Sequence, residues 1–170
     1  MRLIFAVQSG WETIGTLNVR SVGKKYAAVC DLLNTHSLNI LALQETCHEN
    51  TDYISLRRAA PPGYAVTEGA RRSTTSKRPS DRVQNYGGAS IVYRSSFKSS
   101  KLSSQPQVIT LEYICCRLHG DTSGDVVASV YRPGSAVVTP IFIAKLTTFL
   151  EALATYRCPV VLLGDFNVHL

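Results

Sequence analysis

The sequence predicts an α/β fold with mixed strand pairing, and three stretches carry that expectation. An opening strand–helix–strand unit spans Ile14 to Gln44, a run of strands without helices fills the middle, and a capped helix followed by an apolar strand comes last. Alternation of strand and helix at both ends favours parallel pairing, whereas consecutive strands favour antiparallel pairing. The 170 residues fit one domain, 1–170, long enough to bury a core without disulfides or metal staples.

Each element has its own signature. Ile14 to Val19 reads as a first strand. Lys24 to Asn34 places Tyr26, Val29, Cys30 and Leu33 at i, i+3, i+4 and i+7, an amphipathic helix. Leu38 to Gln44 is a short apolar run suited to a strand buried on both faces. Gly63 to Thr67, Gly87 to Tyr93, Val108 to Leu118 and Asp125 to Tyr131 read as strands, with Gly120 to Gly124 as a hairpin loop. Thr139 is a helix N-cap with Pro140 at the first helical position, and Phe142, Leu146, Phe149, Leu150 and Leu153 then share one face. Pro159 to Leu163 is a buried strand that runs into Gly164-Asp165-Phe166-Asn167. At the start, Met1 to Val7 is a short apolar run broken off by Gln8, Ser9 and Glu12, too short for a signal core or a membrane span. An uncleaved leader or an arbitrary reading-frame start accounts for it.

Composition bounds the function. With 45% hydrophobic and 18% charged residues the chain is globular. Lys+Arg of 18 against Asp+Glu of 12 gives +6, which suits a polyanionic partner such as DNA or RNA without establishing one. The five cysteines form no CxxC pair and their number is odd, so they read as reduced thiols. A monomer that is intracellular, nuclear or cytoplasmic, not secreted and not in a membrane is expected. Between two of the middle strands, Arg71, Arg72, Lys77, Arg78 and Arg82 make a polar, basic loop. It suits the backbone of DNA, although a charge run is often only a solvated loop.

Polar groups stand at the ends of three apolar strands, where open α/β sheets place their ligands. Asn18 closes the first, Glu45 follows Leu41-Ala42-Leu43-Gln44, and Asp165 with Asn167 follows Val160-Val161-Leu162-Leu163. In extended backbone Asp165 and Asn167 would point to the same face. Taken singly, each is as well explained by a turn or a cap. Together they form an all-oxygen set of the kind that Mg²⁺ or Mn²⁺ prefers, since Mg²⁺ takes one or two carboxylates and keeps waters for a phosphate substrate.

Thr16-Leu17-Asn18-Val19-Arg20-Ser21, Leu43-Gln44-Glu45-Thr46, Gly87-Gly88-Ala89-Ser90-Ile91-Val92-Tyr93, Val130-Tyr131-Arg132-Pro133 and Leu163-Gly164-Asp165-Phe166-Asn167 appear in this order. These blocks resemble the signatures of the endonuclease/exonuclease/phosphatase superfamily, nearest to the abasic-site-endonuclease-like domain of non-LTR retrotransposons. The resemblance runs from about Ile14 to the last residue. It implies two mixed β-sheets face to face with flanking helices, a four-layer DNase I-like sandwich.

The resemblance also implies roles. Asn18 and Glu45 correspond to the metal-site amide and carboxylate, Asp165 to the aspartate that orients or deprotonates the attacking water, and Asn167 to the amide that holds the scissile phosphate. Tyr131 stands where some members supply an active-site tyrosine, though Val-Tyr-Arg-Pro is equally a good strand end. Arg132 is either a phosphate contact or a surface arginine. The implied reaction is Mg²⁺- or Mn²⁺-dependent phosphodiester hydrolysis, a DNA nick. Family members carry a later Ser/Asp-His block, and His36, His48, His119 and His169 do not fit that role. The expectation is therefore a carboxy-terminally incomplete domain with impaired catalysis. Two alternatives stay open: a non-catalytic retrotransposon-derived remnant, and a phosphatase of the same superfamily.

Overall fold

The computed structural model describes residues 6–9, 12–47, 54–69, 87–102, 110–120, 124–134 and 137–168. Twelve elements follow in chain order: β1 (Ala6–Ser9), β2 (Glu12–Asn18), α1 (Tyr26–Thr35), β3 (Ile40–Gln44), α2 (Ile54–Arg58), β4 (Tyr64–Gly69), β5 (Ala89–Arg94), β6 (Lys98–Lys101), β7 (Glu112–His119), β8 (Gly124–Tyr131), α3 (Pro140–Ala154) and β9 (Val160–Asp165).

The strands form two sheets, one of five strands in the order β1-β2-β3-β5-β4 and one of four in the order β6-β7-β8-β9. Both are mixed. β2 and β3, joined through α1, pair in parallel, as do β8 and β9, joined through α3. All the other neighbours are antiparallel. A short turn can close an antiparallel pair, but a parallel pair needs a crossover, and both crossovers here contain a helix.

The sheets pack face to face, and three apolar clusters make four layers. Between the sheets lie Ile14, Ile40, Ile91, Tyr93, Phe97, Cys116, Leu118 and Val127. On the outer face of the first sheet, Leu17, Leu41, Leu43 and Val92 meet Val29 and Leu33 of α1 and Leu56 of α2. On the outer face of the second, Cys115, Val126, Ala128 and Val130 meet Phe142, Phe149 and Leu153 of α3. Alternation along each strand sends successive side chains to opposite layers, so the adjacent Cys115 and Cys116 belong to different clusters. The two-sheet sandwich expected from the sequence is the observed architecture.

Several local expectations need correction. Residues 6–9, for which the sequence offered no element, form β1 and pair antiparallel with β2. Leu150 is 42% exposed, because the buried stripe of α3 is Phe142, Leu146, Phe149 and Leu153 and Leu150 stands about 100° further round the helix. The Val108 strand begins at Glu112, and Val108 itself lies outside the described residues, as does most of the expected hairpin loop. The α3 cap is as expected: the Thr139 hydroxyl accepts a hydrogen bond from the Phe142 amide at 3.1 Å, with Pro140 first in the helix.

Candidate active site

Asn18 ends β2, Glu45 follows β3, and Asp165 ends β9, so two sheets deliver three polar side chains to one edge of the sandwich. The Asn18 side-chain amide binds them together. Its Nδ2 donates to Glu45 Oε1 at 2.8 Å and to Asp165 Oδ2 at 2.8 Å, a bridge between residues 147 positions apart in the chain. Two carboxylate acceptors settle which end of the amide is nitrogen. Asn18 Oδ1 in turn accepts from the Arg20 amide at 3.1 Å. The amide is thus placed to orient two carboxylates, with its own oxygen already engaged.

Backbone strain gathers here. Outside glycine, positive φ occurs among the described residues at Arg20, Ser21, Ser37, Glu45, Cys47 and Asn167, and all but Ser37 lie beside the three strand ends. Such conformations each cost on the order of 1–3 kcal/mol and persist where neighbouring contacts over-determine them. Neighbouring loops supply those contacts. Ser21 N donates to Glu45 O at 2.6 Å and Val22 N to Thr46 O at 3.0 Å, which ties the β2 loop to the β3 loop. Lys25 at the start of α1 donates through Nζ to the carbonyls of Val19 at 2.6 Å and Arg20 at 2.8 Å.

The β9 end is braced differently. Asn167 is left-handed (φ 46°), so it does not continue the strand, and the expectation that its side chain parallels that of Asp165 does not hold. Instead Asp165 Oδ1 accepts from the Asn167 amide at 3.1 Å, a side-chain turn of the kind aspartates favour. Asn167 Nδ2 donates to Arg132 O at 2.7 Å. Arg132 is only 1% exposed, so it is no surface arginine. Its guanidinium donates to Asn167 O at 2.8 Å and Phe166 O at 3.4 Å and lies 4.8 Å over the Phe142 ring. In this structure it grips the loop that carries Asp165 and Asn167. Gly164 permits the approach, since a β-carbon there would collide with the Val130 carbonyl of the neighbouring strand.

Tyr131 is the strand partner of Asp165 on one side and of Glu112 on the other. Burial pushes its phenol well above the usual tyrosine range. A hydrogen bond to Glu45 and the nearby charges of Glu45, Glu112 and Asp165 act in the same direction. The side chain is therefore a neutral donor facing carboxylates.

The sequence-derived set divides clearly. Asn18, Glu45, Tyr131, Asp165 and Asn167 gather at one edge, with Arg132 beneath them. Arg71, Arg72, Lys77, Arg78 and Arg82 lie outside the described residues, as do His48 and His169. Among the described residues no three His, Cys, Asp or Glu side chains make a metal cluster. Two carboxylates turned to one point nonetheless match a hard divalent ion that keeps water ligands, so the donor set fits. Sequence reasoning missed three supporting residues. Gln44 accepts from Thr16 Oγ1 at 3.2 Å and donates to Ser129 Oγ at 3.0 Å, a buried link between the sheets one residue before Glu45. A polar residue closing an apolar run was its visible signal. Glu112 and Lys25 carry no comparable mark.

Carboxylates and amides of both sheets thus meet at the strand ends of a two-sheet α/β sandwich. The Endonuclease/Exonuclease/phosphatase family model matches residues 15–170, and the chain belongs to that family. No curated protein matches it in sequence. Among solved structures, zebrafish TDP2 (D. rerio) complexed with a single-strand DNA product superposes with TM-score 0.64 at 15% identity, covering 92% of this chain and 60% of that one. The AP endonuclease from Archaeoglobus fulgidus gives 0.60 at 23%, covering 91% and 57%. The endonuclease domain of TRAS1, a telomere-specific non-LTR retrotransposon, gives 0.59 at 12%, covering 92% and 59%. The chain thus spans about six-tenths of the length of these structures. Identities this low speak for the fold. Among the described residues no helix is long and apolar enough to cross a membrane.

Proposed function

We propose that the chain carries the metal-binding part of a divalent-metal-dependent phosphodiesterase that nicks DNA, of the non-LTR retrotransposon type. The observation that carries this reading is the Asn18 amide donating at once to Glu45 and Asp165. Nothing in sheet packing calls for two carboxylates on one amide at a strand edge, whereas binding a cation beside a phosphate does. The net charge of +6 and DNA as the product held by the zebrafish TDP2 neighbour favour a nucleic-acid substrate.

Glu45 supplies the carboxylate that would hold Mg²⁺ or Mn²⁺, with the Asn18 amide fixing its spacing from Asp165. Such an ion, when bound, polarises a phosphoryl oxygen and neutralises charge on the leaving oxygen. The chain's own groups do the rest. Asp165 orients water for in-line attack and accepts its proton. The Asn167 amide, held within the Arg132 brace, has a second N–H to offer a phosphate oxygen. Tyr131, kept neutral by its surroundings, steadies the Glu45 carboxylate.

The test is nicking of supercoiled plasmid by the purified chain in Mg²⁺, beside Glu45→Ala, Asp165→Ala and an EDTA blank. Weak metal-dependent nicking, as expected of a domain without the later Ser/Asp-His block, that is lost in both variants is the expected result. Equal activity in wild type and both variants, or hydrolysis of simple phosphomonoesters in place of plasmid, would overturn the proposal and favour the phosphatase reading.

A further inference from the structure

Glu112 opens β7 in the second sheet, yet its carboxylate reaches the first. It accepts a hydrogen bond from the Gly88 amide. Gly87 lies flat against it: φ is 120° there, and a β-carbon would occupy the same space as the Glu112 carboxylate. The two glycines lead directly into β5, and their carbonyls face the other way. Gly88 O accepts from the Thr46 amide at 3.3 Å, and Gly87 O from the Cys47 amide at 2.7 Å. Thr46 and Cys47 follow Glu45, and both Glu45 and Cys47 have positive φ. An unbroken hydrogen-bonded path therefore runs from Glu112, through Gly87-Gly88, to the backbone that aims the Glu45 side chain.

From this path we infer that Glu112 is a positioning residue: a carboxylate of the second sheet that locks the Gly87-Gly88 turn and thereby holds Glu45 in its strained, left-handed conformation. The inference rests on Glu45 being the metal-site carboxylate proposed above. Glu45 sits one residue beyond β3, where the regular ladder has ended, so its backbone depends on contacts from outside its own strand. The Ser21–Glu45 and Val22–Thr46 bonds supply two such contacts, and the two glycine carbonyls, through the Thr46 and Cys47 amides, supply two more. β7 packs against β5, the strand that Gly87-Gly88 lead into, and its strand partner at Glu112 is Tyr131, which hydrogen-bonds Glu45. Glu112 and Tyr131 thus approach the same carboxylate by two routes, one through backbone and one through a phenol.

Three variants separate this role from simple loss of packing. Glu112→Ala removes the acceptor, Glu112→Gln keeps an oxygen for the Gly88 amide, and Gly87→Ala, which both crowds the carboxylate and strains the turn at φ 120°, shows the effect of disrupting the turn itself. Amide hydrogen exchange of the metal-free chain is read first. The Thr46 and Cys47 amides are expected to lose about tenfold or more of their protection in Glu112→Ala and Gly87→Ala and to recover it in Glu112→Gln, with the β7–β8 ladder unchanged. Unchanged protection at Thr46 and Cys47, or loss spread evenly along β7 and β8, would overturn the inference.

Mn²⁺ titration of the same proteins by calorimetry is read second. An affinity about 10–100-fold weaker in Glu112→Ala, restored in Glu112→Gln, is the size expected of a group acting one step behind a ligand. Wild-type affinity in Glu112→Ala also counts against it. If Glu45→Ala binds Mn²⁺ as wild type does, the metal-site reading fails instead, and the exchange data still decide whether Glu112 locks the turn.

Discussion

β3 lies between β2 and β5 with all of Ile40–Gln44 buried, whereas β9 pairs with β8 at the end of its sheet with all of Val160–Asp165 half-buried. As sequence the two are alike: short, apolar, and finished by an acid. Each delivers one of the two carboxylates that Asn18 joins. A strand held by ladders on both edges and packed on both faces opens only when the sheet opens, while one held along a single edge opens at lower cost. Among the described residues the site thus has a firm half, carrying Glu45, and a softer half, carrying Asp165. The Arg132 grip on Phe166 and Asn167 stands at the softer half, where a brace matters most.

The sharpest test of that contrast is a matched pair of truncations. Leu41→Ala in β3 empties a fully buried site and should cost about 2–5 kcal/mol in urea unfolding. Leu162→Ala in β9 removes a side chain already partly in water and should cost about 1–2 kcal/mol. Equal costs would break the comparison.

A smaller effect is expected in the thiols, which report on each layer separately. Burial raises the Cys115 pKa to about 12 and the Cys116 pKa to about 11, from 9.0, with the Cys116 thiolate adding to the effect at Cys115. Both folded values lie above the unfolded one. Their contribution to stability is therefore complete below pH 9.0 and is lost as the pH climbs through 11 to 12. At pH 8 neither should react with a thiol reagent unless the protein opens. Cys115 packs in the layer shared by α3 and β9, and Cys116 packs between the sheets. With rising denaturant Cys115 should label first, and simultaneous labelling would show that the layer does not open by itself.

The smallest expected effect is at the cap of the helix that covers β8 and β9. Thr139→Ala leaves the Phe142 amide without its side-chain acceptor and should cost about 1 kcal/mol in thermal unfolding. A loss that also advances Cys115 labelling without touching Cys116 would place α3 and β9 in one opening unit.

Much of this was legible in the residues. Helix spacing in α1 and α3, the Thr139-Pro140 start, and the apolar runs of β3, β8 and β9 are local patterns, because burial on one stripe or one face repeats with the period of the element itself. Asn18, Glu45, Asp165 and Asn167 were visible because each interrupts or ends such a run. β6 (Lys98–Lys101) and α2 (Ile54–Arg58) were not, being short and polar or basic, and held by their neighbours in space.

What the sequence by itself determined is which segments are strands and helices and which acids end them, since those depend on residues a few positions apart. Only the tertiary structure decided that Arg132 is buried, that Leu150 is not, that Asn18 turns its nitrogen to two carboxylates, and that Glu112 reaches Gly88. Each of those outcomes depends on strand register and on how one sheet lies over the other. The contacts concerned join residues as much as 147 positions apart, beyond the reach of any local pattern.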